Sequence, residues 1–143
     1  RFFGFYSFEG LPQRWYDLPK GTFDTKGKVP VIDDKRVKFI KGLFQTSLPL
    51  FLKNFPQKNR LVIHFDADLY SSTLLALTSI NPFIIPDSIL MFDEFDSLPD
   101  EFKAFIDYTQ AYLKHYKLLW YTKNCKQVAI LIDNDRCNKL IRS

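Results

Sequence analysis

Two short apolar runs in the middle of this sequence end in the same way, in acid. Leu61 to Phe65 is continuous apart from His64 and stops at Asp66-Ala67-Asp68; Ser88 to Phe92 stops at Asp93-Glu94. Runs of four to eight apolar residues bounded by polar ones predict strands, here buried on both faces, with His64 as a satisfied core residue. Arg1 to Ser7 and Val37 to Lys41 predict two further strands, the first already reading as core. Between them Glu9 to Pro30 carries Gly10, Pro12, Pro19, Gly21, Gly27 and Pro30, which predicts a long loop.

Helical periodicity fills the remaining gaps. Thr46 to Phe55 predicts a short helix with Pro49 in its first turn. A second helix runs from a Ser71 or Ser72 cap through Leu74, Leu75, Leu77 and Ile80 to Asn81-Pro82. A third starts at Pro99-Asp100 and carries Phe102, Phe105, Ile106, Thr109 and Leu113 at a 3.6-residue period. Lys117 to Tyr121 and Gln127 to Ile132 close the chain as a hairpin. Strands alternating with helices predict a parallel α/β sheet with an antiparallel edge, in a single domain over residues 1–143.

Composition refines this picture in two places. Aromatic residues make up 17%, with 15 Phe and 7 Tyr, so the core is expected to be rich in Phe. The net charge of +4 is spread over scattered lysines and arginines without a dense basic run, so a nucleic-acid partner is not expected. No run is long enough for a membrane span, and no apolar leader opens the chain, so a cytoplasmic protein with no membrane partner is expected. Cys125 and Cys137 are expected as free thiols. An opening on Arg1 directly into a strand predicts a chain whose N-terminal portion is missing.

The acids carry the candidate chemistry. In open α/β sheets ligands bind beyond the carboxyl ends of the strands, where Asp66, Asp68, Asp93 and Glu94 fall. If the two strands are neighbours, four carboxylates converge, and a hard divalent cation would relieve their repulsion. Capping of the following helix is the alternative for any one of them. With His115 the other histidine, a histidine-based site is not expected.

The motifs Phe5-Tyr6-Ser7-Phe8-Glu9-Gly10-Leu11-Pro12, Gly21-Thr22-Phe23 and Gly42-Leu43-Phe44-Gln45-Thr46-Ser47-Leu48-Pro49 occur in that order. With Ile63 to Thr73 (Ile-His-Phe-Asp-Ala-Asp-Leu-Tyr-Ser-Ser-Thr) and Phe92-Asp93-Glu94-Phe95, the chain resembles the macrocin O-methyltransferase (TylF-like) family. That resemblance implies a Rossmann-like class I methyltransferase sheet and S-adenosylmethionine as cofactor. It implies methylation of a hydroxyl on a small, sugar-type acceptor. It also implies a Mg²⁺ or similar ion held by Asp66, Asp93 and Glu94, with Asp68 as general base. Ser7 is the cofactor-side candidate, and Trp15, Tyr16, Tyr70 and Phe95 are either pocket walls or loop anchors. Two departures stand out. The family's first strand and glycine-rich turn do not precede Phe2, which predicts a gap between the strand at Phe2 and the strand at Leu61. Tyr6 also occupies the place of the ribose-binding acid. Weak cofactor binding by this chain alone is expected, and a non-catalytic binding domain of the same fold is the competing reading.

Overall fold

A computed structural model describes residues 1–56 and 59–133. The chain divides into two compact units, residues 1–55 and 56–143.

In the first unit, β1 (Phe2–Tyr6) runs parallel to β2 (Val37–Lys41), with Phe2 opposite Val37 and Tyr6 opposite Lys41. Helix α1 (Phe44–Leu52) packs on β1 through rings. Phe51 meets Phe3 and Phe5 edge-on, with centroids 4.8 and 5.0 Å apart. The helix starts two residues earlier than the sequence suggests, so Pro49 lies in its interior and removes one ladder bond there. β1 is not the core strand expected, since Phe2 is 57% exposed. The long loop is irregular but tied together: the Leu11 N–H donates to Thr22 C=O and the Gly21 N–H to Leu11 C=O, both at 2.9 Å. Gly10 permits this crossing. Its φ is +75°, and a Cβ there would overlap the carbonyls of Gly21 and Thr22.

The second unit holds a four-stranded sheet in the order β3-β4-β6-β5. β3 (Val62–Phe65) and β4 (Ile89–Phe92) are parallel neighbours joined through α2 (Tyr70–Ile80). After α3 (Lys103–Ala111), β5 (Tyr116–Tyr121) and β6 (Val128–Ile132) form the expected antiparallel hairpin, and β6 also pairs antiparallel with β4. α2 and α3 pack on each other. The core gathers Leu77, Leu90, Phe92, Phe105, Tyr108 and Ile130, all essentially inaccessible. Among the described residues β1–β2 and β3-β4-β6-β5 are recorded as two sheets, one in each unit.

Three expectations in this unit give way. β3 is not buried on both faces: Val62 is 64% exposed and His64 is exposed rather than in the core. The reason is that β4 is the one strand paired with β3 among the described residues. Leu113 lies outside α3 and is exposed. There the helix ends on a left-handed residue, with φ 50° at Leu113 and the Lys114 N–H closing back onto Thr109 C=O at 2.9 Å. Neither Ser71 nor Ser72 caps α2, which begins at Tyr70.

Cys125 is an exposed free thiol in the β5–β6 turn, and Cys137 lies outside the described residues. Among the described residues no helix is long and apolar enough to cross a membrane.

Candidate active site

Strand register brings the two acidic ends together. Phe65 pairs with Phe92, so Asp66 and Asp93 leave adjacent strands at the same level. The Asp93 N–H donates to Phe65 C=O at 3.1 Å, extending the ladder one step beyond the paired residues. Below it the rings of Phe65 and Phe92 stack, with centroids 4.9 Å apart and planes within 13°.

Asp68 sits at the centre of a tight turn. The Leu69 N–H donates to Ala67 C=O at 2.5 Å, and Asp68 has φ 57°. The left-handed region is costly for most side chains and tolerated by aspartate, and such turns are strained.

The acids share one electrostatic field. Burial pushes the Asp68 carboxyl up to about 6, and the neighbouring charges of Asp66, Glu94, Asp100 and Asp93 add to the rise. Asp93 and Glu94 also have partners on the β5–β6 turn. The Gln127 Nε2 donates to Asp93 Oδ1 at 2.6 Å, and the Lys126 ammonium pairs with Glu94 Oε1 at 2.9 Å. That ammonium is held charged chiefly by its hydrogen bond to Glu94. Among the described residues no three acidic, histidine or cysteine side chains stand as a ready metal cage. Three carboxylates suit a hard cation in chemistry; as placed, two of them are engaged by Gln127 and Lys126, so an ion held by all three would have to open those two contacts.

Next to the cluster lies a kinked turn, Leu98–Phe102, that leads into α3. It carries Asp100 and Glu101. Asp100 accepts the Tyr70 N–H at 3.3 Å and the Ser97 hydroxyl at 2.7 Å, so it supplies the cap of α2 from another element. Glu101 is fully buried and accepts the Ala67 N–H through Oε1 and the Glu94 N–H through Oε2, each at 3.1 Å. Burial raises its carboxyl to about 7, against the pull of those two bonds.

The other sequence candidates are placed as follows. The Tyr70 hydroxyl donates to Asp107 Oδ2 at 2.8 Å, and Lys103 pairs with that same oxygen while lying over the Tyr70 ring. Phe95 joins the ring cluster of Phe92, Phe102 and Phe105. Ser7, Trp15 and Tyr16 belong to the first unit. Ser7 accepts the Glu9 N–H and donates to Gly10 C=O. Trp15 and Tyr16 meet edge-on at 5.5 Å, with Tyr16 59% exposed. The structure thus brings together Asp66, Asp68, Asp93 and Glu94, and adds Asp100, Glu101, Lys126 and Gln127, which the sequence reading passed over. Glu101 had a signal: it precedes Phe105 and Tyr108 by four and seven residues, on the buried face of the helical period.

Comparison with known proteins bears on the whole arrangement. The family model described as macrocin-O-methyltransferase (TylF) matches residues 22–118, more than half of the 143. No curated protein matches the chain significantly. Among solved structures, the chain is similar to the O-methyltransferase NovP, at 21% identity and a TM-score of 0.67, covering 92% of this chain and 60% of that one. It is similar to CalS11, a calicheamicin methyltransferase, at 24% identity and a TM-score of 0.71, covering 94% and 61%. An apo structure of CalS11, described as a TDP-rhamnose 3'-O-methyltransferase in calicheamicin biosynthesis, matches at 27% identity and a TM-score of 0.58, covering 78% and 46%. The chain therefore spans about 60% of the length of the first two, and shares their fold.

Proposed function

The chain belongs to the macrocin-O-methyltransferase (TylF) family, and on that premise we propose that it carries the acceptor-activating part of an S-adenosylmethionine-dependent O-methyltransferase. The acceptor class is a small molecule with a sugar-type hydroxyl. The description of CalS11 as a TDP-rhamnose methyltransferase supports that class.

One observation carries the reading: Asp68, strained and half-buried at the mouth of two in-register strands, has its carboxyl raised to about 6. A hydroxyl is a poor nucleophile at neutral pH, and a general base serves it best when its pKa lies near the working pH. An acceptor O–H donating to the Asp68 carboxylate would be oriented by that bond. S-adenosylmethionine, when bound, would supply the methyl group to that oxygen and leave as the thioether, and the Asp68 carboxylate would accept the hydroxyl proton. Approach in line with the sulfonium is a positioning task, which rigid strand ends serve well.

Asp66, Asp93 and Glu94 are proposed as the ligands of a hard divalent cation, Mg²⁺ or similar, which would acidify and orient the acceptor hydroxyl when bound. In the folded chain Lys126 and Gln127 hold two of those carboxylates, and proton transfer to Asp68 does not depend on the ion. Tyr6 favours the competing reading of a non-catalytic binding domain: it ends β1 with its hydroxyl directed to Phe23 C=O at 3.4 Å, where an acid would be needed for a ribose.

The test is release of S-adenosylhomocysteine with a nucleotide-linked deoxysugar as acceptor. Asp68→Asn should slow transfer by about 10²- to 10⁴-fold. Equal rates in the two proteins would contradict the assignment of the base, and an inactive wild type that still binds the sugar would favour the binding domain.

A further inference from the structure

A fully buried carboxylate is an unusual thing for a core to keep. Burying an ionisable group is unfavourable unless its oxygens are satisfied, and an apolar side chain at the same place would pack without that penalty. Glu101 is 0% exposed, in the turn that leads into α3, four residues before the buried Phe105. Its two oxygens are divided between two different loops. Oε1 takes the N–H of Ala67, the residue between Asp66 and Asp68; Oε2 takes the N–H of Glu94, the residue after Asp93. Both donors are main-chain groups just beyond the ends of β3 and β4, where the sheet ladder no longer supplies every partner. The bonds therefore fix loop backbones rather than side chains.

The turn that delivers Glu101 is itself irregular. Leu98–Phe102 is kinked at Asp100, which departs from helical geometry with φ −110° and ψ −106°. That departure lets consecutive residues serve different elements: Asp100 reaches the first N–H of α2, and Glu101 reaches the two acidic loops.

We propose that Glu101 is a positioning residue, a strut whose one carboxylate sets the spacing of the two acid-bearing loops. It would act on the chemistry through Asp66, Asp68, Asp93 and Glu94 without touching the acceptor. This rests on the reading of those acids as the working site.

Glu101→Gln tests it. The amide is close in shape, but it offers one acceptor oxygen and one donor NH₂, so one of the two N–H groups must lose its partner. Amide hydrogen exchange and Mn²⁺ titration are read on the same protein. In the wild type the Ala67 and Glu94 amides should be protected. In the variant at least one should exchange about tenfold faster or more, while Ile130 in β6 is unchanged, and Mn²⁺ affinity should fall by about 10- to 100-fold, the range seen when a group that orients ligands is lost. Unprotected Ala67 and Glu94 amides in the wild type would overturn the strut even if the variant failed to fold. Faster exchange with unchanged Mn²⁺ affinity would overturn the link to the site, leaving Glu101 a purely structural residue. A wild type that binds no Mn²⁺ would instead refute the reading of the acidic cluster, while exchange would still report on the strut.

Discussion

Phe65 and Phe92, the last residues of β3 and β4, face one another in register and stack with ring centroids 4.9 Å apart. Each is followed at once by an acid. The backbone pairing that aligns the rings also aligns Asp66 with Asp93, and the rings form a floor at the strand ends that is essentially buried, at 4% and 1% exposure. Replacing Phe92 by Ala should cost about 3–5 kcal/mol in urea unfolding, through lost contacts and a residual cavity. A loss below about 1 kcal/mol would show that the floor is not a packed one.

Stability should fall as pH rises from about 4.5 to 8 when divalent cations are absent. The folded-state values of Glu101, about 7, and Asp68, about 6, lie above their ordinary 4.5 and 3.8. For a group raised on folding, the unfolded chain loses its proton first. The stabilisation is complete below the unfolded value and is lost as pH climbs through the folded one. The fully buried Glu101 accounts for a change on the order of 2–3 kcal/mol, and the half-exposed Asp68 for less. Urea midpoints at pH 5, 6.5 and 8 should decrease in that order; a flat or rising series would contradict the burial of Glu101 as a carboxyl.

Lys126 pairs with Glu94, one of the carboxylates proposed as cation ligands. Its ammonium lies 2.9 Å from Glu94 Oε1, with both side chains partly exposed. A solvent-exposed pair of this kind is weak, so a divalent ion can displace it. Lys126→Gln should leave the urea midpoint essentially unchanged and tighten Mn²⁺ binding by about fivefold. Weaker binding in the variant would mean that Lys126 supports the site rather than competing for it.

The order of strands and helices was legible because each element is short and punctuated. The apolar runs at 61–65 and 88–92 stop abruptly at acids, and parallel neighbours follow from one helical crossover between them. What escaped the sequence was partnership across distance. Nothing local to Glu101 says that it will meet the backbone at Ala67, thirty-four positions away, or that Lys126 and Gln127 will fold back over Glu94 and Asp93. Burial escaped for a related reason. An apolar run such as Leu61 to Phe65 reads as doubly covered, whereas exposure of Val62 and His64 depends on which strands lie alongside. The adjacent serines predict the cap of α2, which comes instead from Asp100, because the kink there carries that carboxylate to the helix start.

Isothermal titration of Mn²⁺ into the wild-type chain and into an Asp66→Asn, Asp93→Asn double variant decides whether the acids at the ends of β3 and β4 work as one site. The wild type should bind one ion once Lys126 and Gln127 release their carboxylates, and the double variant should bind it at least about tenfold more weakly. Equal affinity in the two proteins would contradict a shared cation site.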